Sequence, residues 1–533
     1  MAIGYRVTNK LIATSEGQVC SKSPFLEFLF NDHPDDPVKV FFDMDADVGS
    51  LLKLIGISES EGIRLLKKEK LSIPPYRLTY FPRRLFSIDK GHYTGHPFVN
   101  FSNMGQYQDT HFERNNTPGY AIEQAKQAVA LAKDVQDTLA YLGLDTEKLT
   151  SPVAAFRERI KSLDLPTIDD VLPQEASEMA FASIKGNWLE AYSSGYWPGK
   201  IYDYDINSAY PAELSQLLDI RKGRWVKHKT PIQQAAYGFA EGYLTTHANF
   251  HPFLYRRNGK QTYTPQGRWR TYLTLQEIDF LYDYKLGEFE PIRGYWWLPY
   301  GKQSRPFEGV INWLFEKRLG TTGLRRMVIQ RIGAGLWGKM GEFRGETLGP
   351  NFNAVYAAIV EANTRLKVAK TCLDCGLEPL HIAIDGIITD KPLPVESSQN
   401  LGQWRLSHEG SCIIVGASTV AFEGKGGPQE FSLKFDWLLK EMLSHPRATN
   451  YRMSKLSPVS LALACNGRWD QLGKIIKTTR TVSIGSDQKR LWGKRALNGG
   501  QLLKLNPATS EPWDYTVVAG GDDFENKTLG GEL

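Results

Sequence analysis

No stretch of the 533-residue chain approaches the roughly 18 to 20 consecutive apolar residues that a membrane span needs. The N-terminus also lacks the basic-then-apolar pattern of a secretory signal, so a soluble, cytoplasmic protein with no membrane partner is expected. Cysteine is scarce: five in a chain of this length do not make a disulfide framework, which fits a reducing compartment. Cys372-Leu373-Asp374-Cys375 has the C-x-x-C spacing of half a zinc site, but Cys20, Cys412 and Cys465 offer no second pair and no suitably placed histidine. A helix terminus before Gly376 is the expected role for that pair. Excess charge is missing too: 64 Lys+Arg against 59 Asp+Glu gives +5, too little to argue nucleic-acid binding from the total. No internal repeat is present.

What is present is enough apolar sequence, 41%, for several domains. Basic residues interleave locally with aromatics, at Arg256-Arg257, Arg268-Trp269-Arg270 and Trp337-Gly338-Lys339, as in chains that grip phosphates and stack bases. Residues 1–150 alternate short apolar runs with turns and end in a helix over 122–142. A Pro- and acid-rich linker over 151–190 follows. From Pro306 to Met340 the spacing is helical, broken at 319–323, and a long helix is expected around Ala354 to Cys372.

Two carboxylates carry the chemistry. The apolar run Lys200-Ile201-Tyr202-Asp203-Tyr204 delivers Asp205 into the tight turn Ile206-Asn207-Ser208-Ala209-Tyr210-Pro211, where a hard oxygen would meet backbone amides suited to a triphosphate. The strand at 381–384 ends at Asp385-Gly386, so pairing two strands of one sheet would set a second carboxylate beside the first. Such a pair suits two Mg²⁺ ions clamping an in-line phosphoryl displacement. A plain Asp-Gly hairpin turn is the competing reading of Asp385.

Asp205 to Pro211 resembles motif A of family B DNA polymerases, D-x-x-S-L/A-Y-P. Gln330-Arg331-Ile332-Gly333-Ala334-Gly335-Leu336-Trp337-Gly338 resembles motif B on the fingers helix, with Gln330 in the place of the family's lysine. Ala383-Ile384-Asp385-Gly386 resembles motif C with only its second aspartate retained. Asn353 to Arg365 resembles the template-binding helix, and Gly402-Gln403-Trp404-Arg405 the segment after motif C, of the protein-primed branch found in phages, plasmids and mobile elements. The resemblance implies an α/β (α+β) right-hand polymerase with an RNase H-like exonuclease-type domain in front. Domains would be 1–150 (exonuclease-like), 151–190 (linker), 191–305 (palm), 306–345 (fingers), 346–428 (palm again) and 429–533 (thumb and tail).

By the same resemblance, Asp205 and Asp385 would be catalytic and hold two Mg²⁺, or Mn²⁺ in their place. Ile206, Ser208, Tyr210, Arg318, Arg326, Gln330 and Arg331 would meet the incoming dNTP, with the Tyr210 ring rejecting a 2′-hydroxyl. Trp337, Gly338, Lys339, Arg365 and Lys425 would touch primer-template DNA. A terminal protein or another replication protein is an implied partner, and a bacterial host's cytoplasm the implied location. Proofreading is expected to be lost: the first acidic residue is Glu16, Asp47 alone survives from the second exonuclease motif, and Gln124 replaces the aspartate of the third. The substitution at Gln330 weighs on nucleotide affinity and motivates a second reading, a DNA-binding protein on a dead polymerase scaffold. A hydrolase using Asp203 and Asp205 is a third. The segment 341–352 is too short to encircle DNA, so low processivity is expected.

Overall fold

The computed structural model describes residues 2–31, 38–68, 70–90, 98–107, 117–149, 151–166, 173–257, 261–344, 347–425, 434–445, 448, 450–483, 487–492 and 508–519. The tail expected beyond Asp522 lies outside these residues. Among the described residues no helix is long and apolar enough to cross a membrane.

The N-terminal domain is built on an eight-stranded sheet ordered Val19–Cys20, Ile12–Thr14, Ala2–Val7, Val38–Phe41, Phe98–Asn103, Leu85–Lys90, Tyr76–Phe81, Lys70–Ile73. Ala2–Val7, Val38–Phe41 and Phe98–Asn103 run parallel at its centre, and the first two read as nearly unbroken apolar strands because both faces are covered. One cover is the helix Pro118–Tyr141, capped by the Thr117 side chain with Pro118 in its first turn. It lies so close to the first strand that a Cβ on Gly4 would stand 2.1 Å from the Ala125 carbonyl oxygen and 2.9 Å from Val129 Cγ2. Gly4→Ala is therefore expected to lift the helix and lower stability by about 1–3 kcal/mol, read as a fall in the thermal midpoint.

The second large sheet carries the expected chemistry. Its strand order is Thr419–Phe422, Trp404–Gly416, Ser193–Ile206, Gly386–Thr389, His381–Ala383, Leu189–Ala191. The 14-residue strand Ser193–Ile206 runs through the middle. The helix Ala354–Asp374, capped by Asn353, contributes Leu366, Val368, Ala369 and Cys372 to the apolar layer that also holds Ile206, Ile382 and Ile387. Cys375 caps this helix and Gly376 follows at φ +56°, a terminus as expected from the C-x-x-C run. A separate four-stranded sheet, Gly223–Lys227, Gly287–Pro299, Tyr237–Thr246 and Gly267–Thr274, lies in chain order between the strand Ser193–Ile206 and the next pair of helices.

The helical stretch from 306 is two helices, Glu308–Arg318 and Gly323–Met340, broken at 319–322 as the sequence suggests. Their apolar side chains share one core with the N-terminal domain's long helix, including Ala128, Ala132 and Leu139. Near the C-terminus, Asn450–Pro458 and Ile475–Ser483 pair only with each other, forming a ribbon whose strands are joined through residues 459–474.

Candidate active site

Register places the two carboxylates. On one side of the central strand Asp205 lies opposite Gly386, and on the other opposite Arg405. The Ile206 amide donates to the Asp385 carbonyl at 3.0 Å, so the two acidic residues come from adjacent backbone. Asp385 is not at a plain strand end. Ala383 pairs with Gly386, leaving Ile384 and Asp385 as the two corner residues of a hairpin. The turn and the carboxylate site are thus one feature, where the sequence posed them as alternatives.

Two of the five non-glycine residues with positive φ among the described residues flank the carboxylates. Ile384 has φ +63° and Ser208 φ +56°, both left-handed. A β-branched residue there is a conformational outlier, and it persists only where the surroundings over-determine it. The Ile384 amide is held by the Trp188 carbonyl at 2.7 Å. The turn after Asp205 is fixed by Asn207, whose amide donates to the Gln403 carbonyl at 2.9 Å.

Electrostatics distinguish the two carboxylates. Burial, and then the charge of Asp205, push the Asp385 carboxyl up to about 6. Arg405 donates through Nε to Asp205 Oδ1 at 3.0 Å and through Nη2 to Oδ2 at 2.6 Å, a two-pronged contact that engages both oxygens. In the sequence this arginine ends the segment Gly402-Gln403-Trp404-Arg405 with no role assigned to it, and which residue it faces is a matter of register.

Two repelling carboxylates, one already partnered by a guanidinium, suit a divalent cation. Mg²⁺ is commonly held by one or two carboxylates, with the remaining ligands from water and substrate phosphates. No group of three or more His, Cys, Asp or Glu positioned for a metal occurs among the described residues.

Above the turn stands the helix Gly323–Met340. Gln330, Ala334 and Gly338 are exposed at a spacing of four, with half-buried Arg326 one turn earlier, so one face of this helix is lined by small residues and left open. Of the small residues in the string Gly333-Ala334-Gly335, only Ala334 stands exposed on this face, which Gly338 extends. A Cβ on Gly335 would sit 2.1 Å from Val153 Cγ2, and one on Gly333 3.4 Å from Pro211, so these two serve helix packing. Gln330, Arg318 and Ser208 line one crevice at the foot of this face.

The other expected site residues fall into three groups. Tyr210 stacks on Trp337 with ring centroids 4.5 Å apart and 14° between planes, and its hydroxyl donates to Asn187 Oδ1 at 3.3 Å. Arg318 is buried and grips the turn, donating to Ser208 Oγ at 2.6 Å and Asn207 Oδ1 at 2.5 Å. Burial, with repulsion from Arg326 and Arg405, pulls its guanidinium down to about 10.

Arg331 points away from the carboxylates, donating to the Gln106 carbonyl at 2.8 Å in the N-terminal domain. Lys339 pairs with Glu342 at 2.6 Å and Lys425 with Asp203. The expectation that Arg365 touches DNA is corrected: it is 2% exposed, between Glu277 at 2.6 Å and Glu361 at 3.2 Å. A guanidinium enclosed by two carboxylates in a core has no face left for a phosphate.

In the N-terminal domain, three positions that the sequence treats separately converge. Arg6 Nε donates to Gln124 Oε1 at 2.7 Å, and its Nη1 pairs with buried Asp47. Asp47 also accepts from the amides of Val7 at 2.7 Å and Asp43 at 2.8 Å.

The sheet, the two-helix layer above it and the preceding eight-stranded domain define a mixed α/β right-hand polymerase fold with an exonuclease-like domain. Over 91% of its length this chain is similar to 99% of Phi29 DNA polymerase complexed with primer-template DNA and incoming nucleotides, at 13% identity and TM-score 0.60. The primer-template binary complex of that enzyme gives 14% identity, TM-score 0.59 and 91% and 100% coverage of the two chains. Its complex with single-stranded DNA gives 13%, 0.59, 91% and 99%. No family model and no curated protein matches the chain.

Proposed function

We propose that this chain is a template-directed DNA polymerase of the protein-primed family B kind, extending a primer with dNTPs and lacking proofreading. The observation that carries the reading is the placing of Asp205 opposite Gly386 with Asp385 at the adjoining hairpin corner, at the foot of an open helix face, in a fold shared with an enzyme solved on primer-template DNA. Two Mg²⁺ ions bound there would supply charge neutralisation and activation of the primer hydroxyl. The chain's own part is positional: Asp205 and Asp385 present oxygens from strained, fixed backbone, and Arg318 holds the turn that aims the first of them.

The Tyr210 ring, stacked on Trp337, is the element proposed to exclude a ribose 2′-hydroxyl. Tyr210→Val is expected to relax discrimination against ribonucleotides by about tenfold or more, within the range a shape-selecting pocket provides. Tyr210→Phe keeps the ring and should leave discrimination intact. Competition between dNTP and rNTP in single-nucleotide incorporation checks both.

The proposed loss of proofreading is supported by Arg6, Asp47 and Gln124. An exonuclease centre needs carboxylates for two metals, whereas here a guanidinium occupies the space between a carboxylate and an amide. A terminal protein as partner and a bacterial cytoplasmic setting belong to the same proposal. The rival, a DNA-binding protein without catalysis, draws on Arg405 saturating Asp205 and on Gln330. Extension of a labelled primer-template by the wild type, Asp205→Ala and Asp385→Ala decides between them: tight binding without extension by the wild type would favour the rival.

A further inference from the structure

The basic pair Arg256-Arg257 stands outside the carboxylate site. Both residues lie on the strand Tyr255–Arg257, which pairs only with Gln261–Tyr263 as a two-stranded hairpin. Neighbouring strand residues point to opposite faces, and the two guanidiniums meet different surroundings. Arg257 is hydrogen-bonded to the Tyr263 side chain. Arg256 instead reaches the backbone loop 185–188, where a Cβ on Gly186 would stand 2.3 Å from its Nη2. Gly186 also has φ +92°, so that position takes glycine on both counts.

Arg256 Nε is buried without a hydrogen-bond partner. The buried acids nearest in sequence to this loop, or bonded to it, are already engaged: Glu190 pairs with Arg490 at 3.0 Å, and Glu361 with Arg365 at 3.2 Å. Among the described residues none is paired with Arg256. A half-buried guanidinium without a counter-charge is costly unless an anion from outside completes it.

The loop that Arg256 touches is tied to both parts of the proposed catalytic centre. Its Asn187 Oδ1 receives the Tyr210 hydroxyl at 3.3 Å, and its Trp188 carbonyl receives the Ile384 amide, next to Asp385, at 2.7 Å. The hairpin is fastened to the same loop. Thr262, opposite Arg256 in register, donates to the Asn187 carbonyl at 3.5 Å. Lys489 Nζ lies between them, donating to the Leu189 carbonyl at 2.8 Å and to Thr262 Oγ1 at 3.5 Å.

We propose that Arg256 binds a backbone phosphate of the template strand beside the templating base, and through the loop 185–188 sets that base against the nucleotide over Tyr210. The inference rests on the polymerase reading and adds a template contact to it. Which DNA strand is held follows from the sheet order. The primer end has to reach Asp205 and Asp385, whereas the loop leads into Leu189–Ala191, the strand at the outer edge beyond Asp385. A phosphate held there belongs to the strand paired with the primer. A guanidinium fork on a phosphate fixes position without reading sequence.

The test measures binding of the full chain to primer-templates in which one phosphate at a time, in either strand, is replaced by a neutral methylphosphonate. For the wild type, one template position beside the templating base should cost about tenfold in affinity, as one charge-assisted contact does. Arg256→Gln should show that loss on unmodified DNA and be indifferent to the replacement at that position, with a salt slope lower by about one. Arg256→Lys, which keeps the charge but not the fork, should recover part of the affinity. At saturating DNA, Arg256→Gln should still raise the KM for the next dNTP; an unchanged KM would overturn the positioning role.

No acid is orphaned by Arg256→Gln, so the thermal midpoint of the free protein should hold or rise. A fall of several degrees would assign Arg256 to the fold and overturn the proposal. Additive effects at every phosphate would overturn the contact, and coupling at a primer phosphate would overturn the choice of strand; with a wild type that extends primers, either result leaves the polymerase reading standing. Failure of the wild type to bind unmodified primer-template at low salt overturns both.

Discussion

Primer extension should fall by at least about 10³-fold, some 4 kcal/mol of transition-state stabilisation, when either Asp205 or Asp385 is replaced by alanine. Neither change should unfold the protein. The Asp205 and Arg405 side chains are 33% and 29% exposed, so loss of their contact is worth little to folding. Asp385 is a half-buried hairpin corner whose charged form burial already disfavours, so its loss removes no stabilising contact of that carboxylate with a cation.

Arg405→Gln should act in the opposite sense on metal dependence. Its guanidinium engages both Asp205 oxygens, so a cation must compete with it, and removing that competition should lower the Mg²⁺ concentration needed for half-maximal extension. Direct Mn²⁺ binding, followed by its magnetic resonance signal, should tighten in the same variant and be lost in Asp205→Ala. Wild-type extension at any metal concentration, abolished in both aspartate variants, would remove the dead-scaffold reading. If only Arg405→Gln or Gln330→Lys extends primers, the natural chain is a binding protein held off by its own side chains.

Much of this site was legible because its parts are local. An apolar strand running into Asn-Ser-Ala-Tyr-Pro signals a carboxylate at a turn whatever surrounds it, and a helix between Gly323 and Met340 follows from spacing. What was not legible is what register and tertiary packing decide. Arg405 faces Asp205 across 200 residues of chain. Arg6 meets Gln124 across 118, although only an unusual charge in an apolar strand marks it.

The open face of the helix Gly323–Met340 was legible only in part: Ala334 stands exposed, but the string Gly-Ala-Gly does not reveal that Val153 fills the space beside Gly335. No sequence signal sets the segment 459–474 apart. Only the fold shows its Val459, Leu461, Ala464 and Leu472 seated in the N-terminal domain's core.

Arg365→Ala should be among the most damaging substitutions in the chain, through folding and not through DNA affinity. Arg365 and its partners Glu277 and Glu361 are all at most 3% exposed. Although burial pulls the guanidinium down, the two carboxylates raise it above its ordinary value. Truncation leaves two acids in a core with no counter-charge, a loss of about 3–5 kcal/mol. Lysine should rescue only in part, because one ammonium cannot reach both carboxylates with the arginine's fork geometry.

The effect should also reach the proposed nucleotide site. Glu361 Oε1 accepts from the Lys185 and Gly186 amides at 2.8 Å each, and the next residue, Asn187, receives the Tyr210 hydroxyl. A folded Arg365→Lys protein should therefore bind primer-template with the wild-type salt dependence, since no phosphate contact has gone. It should nevertheless discriminate less sharply between dNTP and rNTP. A reduced salt slope with unchanged thermal midpoint would instead return Arg365 to the DNA surface and refute its place in the core.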